Sequence, residues 1–202
     1  MDISHIQIET GRLILRLPRI EDFDGYAELH ADGEATRHIG GPLLRAPAWR
    51  KFLQMPGAWA VQGYAMFSVV EKDSRRWIGQ AGPWQPEGWP GTEVGWVFQR
   101  AVWGRGYATE AARAAIDWVF ENLGWSEVIH SISPDNPASQ ALARRLGSVN
   151  RGRGRLPPPH QDLPIDIWSQ SREEWFARRG KTAAREYRGS LSIGDSSGSR
   201  TK

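Results

Sequence analysis

A glycine-rich turn at residues 103–110 is the segment whose residue types and spacing most clearly suggest chemistry. Its sequence is Trp103-Gly104-Arg105-Gly106-Tyr107-Ala108-Thr109-Glu110, and it lies between an alternating run that predicts a strand and a long run of helix formers. The first N–H groups of a helix have no partner within the helix, and the helix dipole favours an anion beside them. Gly104 and Gly106 lack Cβ atoms, so the backbone can turn sharply and approach a ligand closely. The turn therefore predicts a phosphate-binding site, with a plain strand–helix connection as the alternative.

The spacing of this turn differs from that of the two commonest phosphate-binding loops. A P-loop requires Lys followed by Ser or Thr after its last glycine, and Tyr107-Ala108 stands at that place. The dinucleotide fingerprint requires three glycines and an acidic residue after a second strand, which the turn also lacks.

Several ordered motifs resemble the GNAT superfamily of N-acetyltransferases, and within it the ribosomal-protein N-terminal acetyltransferase branch. They span about residues 6–178. The motifs are Ile8-Glu9-Thr10-Gly11-Arg12-Leu13-Ile14-Leu15-Arg16, Val94-Gly95-Trp96-Val97-Phe98, the glycine turn with Ala111, Pro134-Asp135-Asn136-Pro137-Ala138-Ser139, Leu146-Gly147 and Ser171-Arg172-Glu173-Glu174-Trp175. The resemblance implies acetyl-coenzyme A as co-substrate and a mixed, largely antiparallel sheet that splays where the coenzyme enters.

The resemblance also implies which residues hold the coenzyme. Backbone N–H groups of the glycine turn bind the pyrophosphate in this family, and Trp103, Gly106 and Ala108 match the motif positions, with Gly104 and Tyr107 between them. Arg105 could add charge beside the phosphates, with a solvated surface arginine as the alternative. The Thr109 hydroxyl could donate to a phosphate, with a bond to the helix backbone as the alternative. Trp103 departs from the Arg or Gln that is usual at its position. Val97 and Phe98 offer backbone groups to the pantetheine arm. Asn136 contacts the pantetheine amide or only caps its helix, and both roles can hold together.

Glu93 is the candidate general base. It stands two residues before Gly95, where relatives often carry a glutamate that faces the acceptor. An amine nucleophile must lose a proton, and a carboxylate can take it if burial raises its pKa. The alternative is a glutamate on a solvated strand face.

Ser139 is the candidate contact for the coenzyme A sulfur. Many relatives place a tyrosine seven residues after the asparagine, where this chain has Ala143. The ribosomal branch often uses a serine three residues after it, and Ser139 matches. The alternative is a serine satisfied within the first turn of its helix. The aromatic residue usual after Leu146-Gly147 is replaced by Ser148.

The remaining pattern predicts the elements that position these residues, in an order that indicates an α/β (α+β) fold. Predicted strands cover 11–17, 63–71, 76–82, 93–98, 127–133 and 165–168. Predicted helices cover 20–31, 34–38, a short stretch around 49–53, 106–123, 137–146 and a last one from Trp175, with a Ser171/Glu174 capping box. Residues 83–91 and 150–164 are predicted to be loops.

Composition limits the remaining possibilities. The 202 residues suit one domain, predicted at 1–180, followed by a basic, Ser/Gly-rich tail at 181–202 that is predicted to be disordered. The tail holds five basic and two acidic residues, an excess of three that equals the chain's net charge of +3. The chain contains no cysteine, which excludes disulfides, thiol catalysis and cysteine-bound metal. Its five histidines show no metal-binding spacing, so no metal is expected.

These observations predict an N-acetyltransferase that moves an acetyl group from acetyl-coenzyme A to a primary amine, either a protein N-terminus or a small molecule. The alternative is a non-catalytic module that binds and senses acyl-coenzyme A. No apolar run of membrane-spanning length and no secretory signal are visible, so a cytoplasmic protein without a membrane partner is expected. Residues 1–180 are formally neutral, so no nucleic-acid partner is expected, and a nucleic-acid-associated protein that uses the basic tail is a weaker alternative. A homodimer is left open.

Overall fold

The computed structural model describes residues 6–179, and one eight-stranded sheet forms its centre. The strands are β1 (Gln7–Glu9), β2 (Leu13–Arg16), β3 (Phe67–Glu71), β4 (Trp77–Trp84), β5 (Glu93–Phe98), β6 (Glu127–Ile132), β7 (Val149–Gly154) and β8 (Ile165–Ser171). Their order across the sheet is β1-β2-β3-β4-β5-β6-β8-β7. Only β5 and β6 pair in parallel among these strands, so the predicted mixed, mostly antiparallel sheet is confirmed.

Helices cover both faces of the sheet. They are α1 (Phe23–Ala31), α2 (Gly33–Thr36), α3 (Arg45–Phe52), α4 (Gln54–Gln62), α5 (Tyr107–Asn122), α6 (Pro137–Leu146) and α7 (172–179). Short 3₁₀ turns occupy Ile20–Asp22 and Arg100–Val102. No helix within residues 6–179 has the length and apolar character needed to cross a membrane.

The core is divided between the two faces. On one face, α5 buries Ala111, Ala115, Ile116 and Val119 against the sheet. On the other, a smaller group that we call the α1–α3 cluster consists of Phe23, Tyr26, Ala27, Leu29, Ala48, Phe52 and Trp77. The two faces therefore have separate apolar packing, and β5 lies between them.

Most predicted elements are confirmed, including the capping box of α7. The Ser171 N–H donates to Glu174 at 2.8 Å, and the Glu174 N–H donates to the Ser171 hydroxyl at 3.1 Å. Gly147 ends α6 with φ +95° as predicted. The predicted tail at 181–202 lies outside the described residues.

The predicted loop over 150–164 is wrong at its start, because residues 150–154 belong to β7. Among residues 6–179 this strand pairs only with β8, at the edge of the sheet, and nearly all of its side chains are exposed. An edge strand with solvent on both faces needs no alternation of apolar residues, so the sequence pattern did not reveal it.

The sequence analysis also missed β1 and α4. Pro56 and Gly57 are residues that usually argue against a helix, so the sequence pattern did not indicate α4. Pro56 is tolerated because it lies in the first turn, where a backbone N–H would have no partner within the helix. The strand predicted at 63–71 begins only at Phe67, and the one predicted at 76–82 extends through Trp84.

Candidate active site

Strands β5 and β6 separate immediately after their first paired residues. Their register contains the single pair Glu93 and Ile129, with a 3.0 Å hydrogen bond from the Ile129 N–H to the Thr92 carbonyl. A continuing parallel ladder would next join the Ser131 N–H to the Val94 carbonyl. Both groups are instead bound by side chains, so the ladder stops here and the sheet splays as predicted.

On one face of this opening, His130 binds the Val94 carbonyl. Its Nδ1 lies 2.6 Å from the Val94 carbonyl and its Nε2 lies 3.0 Å from the Ser148 hydroxyl. Because a carbonyl only accepts, Nδ1 carries the proton and Nε2 accepts from the serine. Burial lowers the pKa of His130 to about 4, so the ring is neutral.

On the other face of the opening, Glu93 binds the Ser131 N–H. Its side chain accepts from the Ser131 N–H at 3.3 Å, from the Ser131 hydroxyl at 2.8 Å and from Trp89 Nε1 at 2.5 Å. Glu93 is only 7% exposed. Burial raises its pKa above the usual range, although these three hydrogen bonds oppose the shift. The alternative of a solvated strand residue does not describe this environment, and a carboxylate with a raised pKa is suited to accept a proton.

Side chains alternate along β5 between the two faces of the sheet. Val94, Trp96 and Phe98 pack on the face of α5 and α6. Val97 packs against the α1–α3 cluster, and Glu93 shares that face. The opening between β5 and β6 is thus bordered by an acidic side chain on one face and by aromatic side chains on the other.

The register decides which backbone groups of β5 face the opening. The Gln99 N–H donates to the Ile78 carbonyl of β4. In an antiparallel pair every second residue directs its N–H and C=O toward the same neighbouring strand, so the N–H and C=O of Val97 also point toward β4. A Cβ placed on Gly79 of β4 would lie 2.4 Å from the Val97 carbonyl oxygen. The expectation that Val97 offers its backbone to a ligand in the opening is therefore wrong, whereas Trp96 and Phe98 direct theirs toward it.

The glycine turn leaves the start of α5 open. Gly104 and Gly106 have φ of +75° and +81°, a left-handed conformation that favours glycine. Gly106 is the N-cap residue, and no side chain of the described residues caps the helix. The Glu110 N–H is bonded to the Gly106 carbonyl, which leaves the N–H groups of Tyr107, Ala108 and Thr109 at the exposed end of the helix. A Cβ on Gly104 would meet no atom within 4 Å, so a ligand can approach closely.

Side chains around the turn hold its shape. Trp103, 49% exposed, donates from Nε1 to the Phe98 carbonyl at 2.9 Å. Arg105 pairs with Glu71 at 3.2 Å, and the Tyr107 hydroxyl also donates to Glu71. Because Tyr107 is buried and its hydroxyl is bound to Glu71, its side chain is not available to a ligand.

Arg12, immediately before β2, connects the turn to the sheet. It donates to the Arg105 carbonyl at 2.9 Å and pairs with Glu110 at 2.7 Å. A groove of about 730 Å³ runs from this point along α5, and Gly106 and Thr109 line it. No motif in the sequence analysis assigned a role to Arg12 or Glu110.

Ser139 and Asn136 lie at the start of α6, beside the opening. The Asn136 side chain accepts from the Ser139 N–H at 3.0 Å, which confirms its N-cap geometry. The Ser139 hydroxyl accepts from Trp96 Nε1 at 3.2 Å. This bond directs the serine toward β5 and leaves its own O–H able to donate to another group.

The sequence pattern did not reveal His130 and Ser131 as members of this site, and it allowed Trp84, Trp89 and Trp96 to line an acceptor pocket only as an alternative to the core. Tryptophan patterns indicate core by default, and the role of Ser131 follows only from the register of β5 and β6. No group of three or more His, Asp or Glu side chains within residues 6–179 is arranged to hold a metal ion.

Comparison with known proteins agrees with this geometry. The family described as "Acetyltransferase (GNAT) domain" matches residues 12–149. An uncharacterised N-acetyltransferase of Bacillus licheniformis, p20, is 30% identical over 162 residues, which cover 79% of this chain and 91% of that protein. The crystal structure of an acetyltransferase from Agrobacterium tumefaciens has a TM-score of 0.74 at 28% identity and covers 85% of this chain and 98% of its own.

A structure described as a putative ribosomal-protein-serine acetyltransferase from Vibrio cholerae is also similar. Its TM-score is 0.71 at 21% identity, with 84% of this chain and 99% of that chain covered. At this identity the likeness supports the fold alone.

Proposed function

The chain belongs to the GNAT family of N-acetyltransferases, and from that premise we propose that it transfers an acetyl group from acetyl-coenzyme A to a primary amine. The acceptor is a protein N-terminus or a small-molecule amine. The observation that carries the proposal is Glu93, a buried carboxylate with a raised pKa at the point where β5 and β6 separate.

The start of α5 fits the pyrophosphate of the donor. Its first N–H groups have no side-chain cap, and the glycines on its N-terminal side leave room for close approach. Residues 103–109 form this cradle, and the Trp96 and Phe98 backbones border the path of the pantetheine arm. Asn136 would hold the α6 end of the path.

Bound acetyl-coenzyme A supplies a thioester carbonyl that an amine can attack directly. As the C–N bond forms and the C–S bond breaks, Glu93 takes the proton that leaves the amine, directly or through water. The Ser139 hydroxyl donates a hydrogen bond to the departing sulfur, held in orientation by Trp96. The thiolate finally takes a proton, so one amide and one thiol are formed.

A non-catalytic acyl-coenzyme A sensor is the alternative, and the family assignment to N-acetyltransferases disfavours it. The experiment that separates the two follows thiol release from acetyl-coenzyme A with a panel of amines and N-terminal peptides, and identifies the acetylated product by mass spectrometry. The proposal expects amine-dependent release that Glu93→Gln reduces. Coenzyme A binding without turnover on any amine would favour the sensor.

A further inference from the structure

A pocket of about 260 Å³ lies over strands β1, β2 and β3, on the face of the sheet opposite to α5. Its apolar lining consists of Ile14 of β2 and Val70 of β3, which are partners in the antiparallel register. Their neighbours Leu13, Leu15 and Val69 belong to the core on the face of α5, so the alternation of side chains directs Ile14 and Val70 to the other face. The sheet therefore separates this pocket from α5.

The remaining lining of the pocket carries three positive charges and no negative charge. It consists of Gln7, Arg16, Arg19 and Arg75. The Arg16 side chain is fixed by Asp22, whose two oxygens accept from its terminal nitrogens at 2.7 and 2.8 Å. A third bond, to the Leu17 carbonyl at 3.0 Å, leaves two of the five guanidinium N–H groups without a hydrogen bond to residues 6–179.

The guanidinium groups of Arg19 and Arg75 have no partner in the part of the chain that the structure describes. Neither side chain forms a hydrogen bond or an ion pair there, and both residues are exposed. Arg19 contributes only its backbone N–H, which donates to Asp22 at 2.9 Å. Both groups are thus open to a ligand that enters the pocket.

The two carboxylates beside the pocket do not neutralise these arginines. Glu9 accepts from the Gln7 side chain at 3.0 Å and pairs with Lys72 at 3.1 Å. Asp22 pairs with Arg16 at 2.7 Å. Each carboxylate therefore has a cationic partner of its own, which leaves the charges of the two free arginines uncompensated.

The backbone at Arg75 adopts a conformation that favours glycine. Its φ is +58°, and it is the one non-glycine residue within 6–179 with a positive φ. Glycine or asparagine would adopt this conformation at a lower free energy. The hairpin turn between β3 and β4 therefore gives no reason for an arginine here, whereas the pocket that its side chain lines does.

We propose that this pocket binds a small molecule through a phosphate monoester, with Arg19 and Arg75 as the charged ligands and Arg16 as a fixed donor. A phosphate monoester carries close to two negative charges, which match the two uncompensated arginines. Guanidinium groups present paired N–H donors that fit phosphate oxygens. Ile14 and Val70 supply an apolar surface for the carbon part of the ligand.

The size and place of the pocket define what the ligand can be. Its volume lies below the range of about 300–1,000 Å³ that is typical for larger ligands, so a small phosphorylated molecule fits. Strand β4 lies between β3 and β5. The pocket is therefore separate from Glu93, and the inference does not depend on the proposed acetyl transfer.

The test compares methyl phosphate with dimethyl phosphate, which differ by one methyl group and one negative charge. Binding is followed by titration calorimetry at constant ionic strength and about pH 8, where the monoester is a dianion. The measurement uses the wild type and Gly106→Val, whose glycine turn is blocked to phosphate. Gly106→Val should bind one methyl phosphate, and dimethyl phosphate about 10-fold more weakly.

Three further variants locate the binding. Arg75→Gly and Arg19→Met should each weaken methyl phosphate binding by about 10- to 100-fold, because each removes hydrogen bonds to a charged group. Arg75→Gly should keep or raise the melting temperature, since glycine suits the positive φ, so misfolding would not explain its loss of binding. Arg76→Met removes the same charge from the next exposed residue, outside the pocket, and should bind like the wild type.

Four outcomes would overturn the inference. They are equal weakening by Arg75→Gly and Arg76→Met, wild-type affinity in Arg75→Gly, equal affinity for the two phosphate esters, and no binding of methyl phosphate to a folded Gly106→Val protein. A protein that binds methyl phosphate in the expected way but acetylates no amine would keep this site and lose the proposed function.

Discussion

His130 Nδ1 donates to the Val94 carbonyl across the opening between β5 and β6, at 2.6 Å. This carbonyl would otherwise accept from the Ser131 N–H in a continuing ladder, and Ser131 is bound by Glu93 instead. Two side chains thus stabilise the separation of the strands from opposite faces. The splay is built into the protein itself, before any substrate binds.

The buried histidines predict a loss of stability in mild acid. The folded-state pKa of His130 is about 4, below its ordinary 6.5, and His30 behaves alike. Between these pH values the unfolded chain binds the protons, so the free energy of unfolding should fall as pH drops from 6.5 to 4. The slope is up to about 1.4 kcal/mol per pH unit for each histidine. Urea unfolding at several pH values measures it; His130→Gln should reduce the slope, and an unchanged slope would contradict the assignment.

Glu93 predicts the opposite pH trend. Its folded-state pKa is raised above 4.5 by burial, so above pH 4.5 the folded state holds the proton more tightly than the unfolded chain. The free energy of unfolding should therefore fall as pH rises through the folded-state pKa. Glu93→Gln cannot ionise and should abolish this contribution. The test measures the urea midpoint of unfolding at several pH values for both proteins. The midpoint of the wild type should fall relative to that of Glu93→Gln as pH rises.

Glu93→Gln should also slow acetyl transfer. General-base catalysis contributes roughly 100- to 10,000-fold, and the loss should shrink as pH rises and more free amine becomes available. Coenzyme A binding should be retained. Glu127→Gln, on the exposed first residue of β6, removes the same charge and should retain the wild-type rate. Unchanged activity of Glu93→Gln at every pH would remove Glu93 from the mechanism.

Gly106→Val should abolish stabilisation by coenzyme A. A ligand at about 100 times its Kd adds about 2.7 kcal/mol, which corresponds to roughly 5–10 °C in Tm for a chain of this size. The valine side chain would occupy the space where the pyrophosphate approaches α5. Gly124→Val is the matched control, because Gly124 has φ +65° and open surroundings beyond the opposite end of α5. Its Tm falls from similar backbone strain, but its shift with coenzyme A should remain.

Ser139→Ala should lower kcat by about 10- to 100-fold, because it removes a hydrogen bond that strengthens as the thiolate forms. Trp96→Phe keeps an aromatic ring but removes the donor that orients the serine, so a smaller decrease is expected. A rise in KM for acetyl-coenzyme A with unchanged kcat would limit Ser139 to binding.

Periodicity predicted the helices and strands with a buried apolar face, such as α5, α6 and β5. Periodicity did not reveal β7, because an exposed edge strand needs no alternation of apolar and polar residues. It did not reveal α4 either, because that helix contains a proline and a glycine in or near its first turn. The sharp backbone turn at Gly104 and Gly106 was predictable because it depends on local residue type, and both glycines adopt a positive φ.

The surroundings of Glu93 were not predictable in the same way. Its partners Trp89 and Ser131 come from a loop and a neighbouring strand, and they meet only after the register is set. The roles of Trp96 and Val97 likewise depend on which edge of β5 each residue faces. Strands β5 and β6 are connected through α5 rather than by a tight turn, so no turn geometry in the local sequence sets their register.

The alternation of β5 between its two faces bears on how such an enzyme can diversify. Trp89 and Ser131, which bind Glu93 on one face of the sheet, lie apart from the glycine turn and α6 that would recognise the donor. Mutations after a gene duplication could therefore change the accepted amine while the shared acyl donor continues to bind. We expect paralogues to differ most on the face of Glu93, at positions such as Trp89, and least around Gly106, so a comparison of duplicated copies would trace a history of exchanged substrates on an inherited donor site.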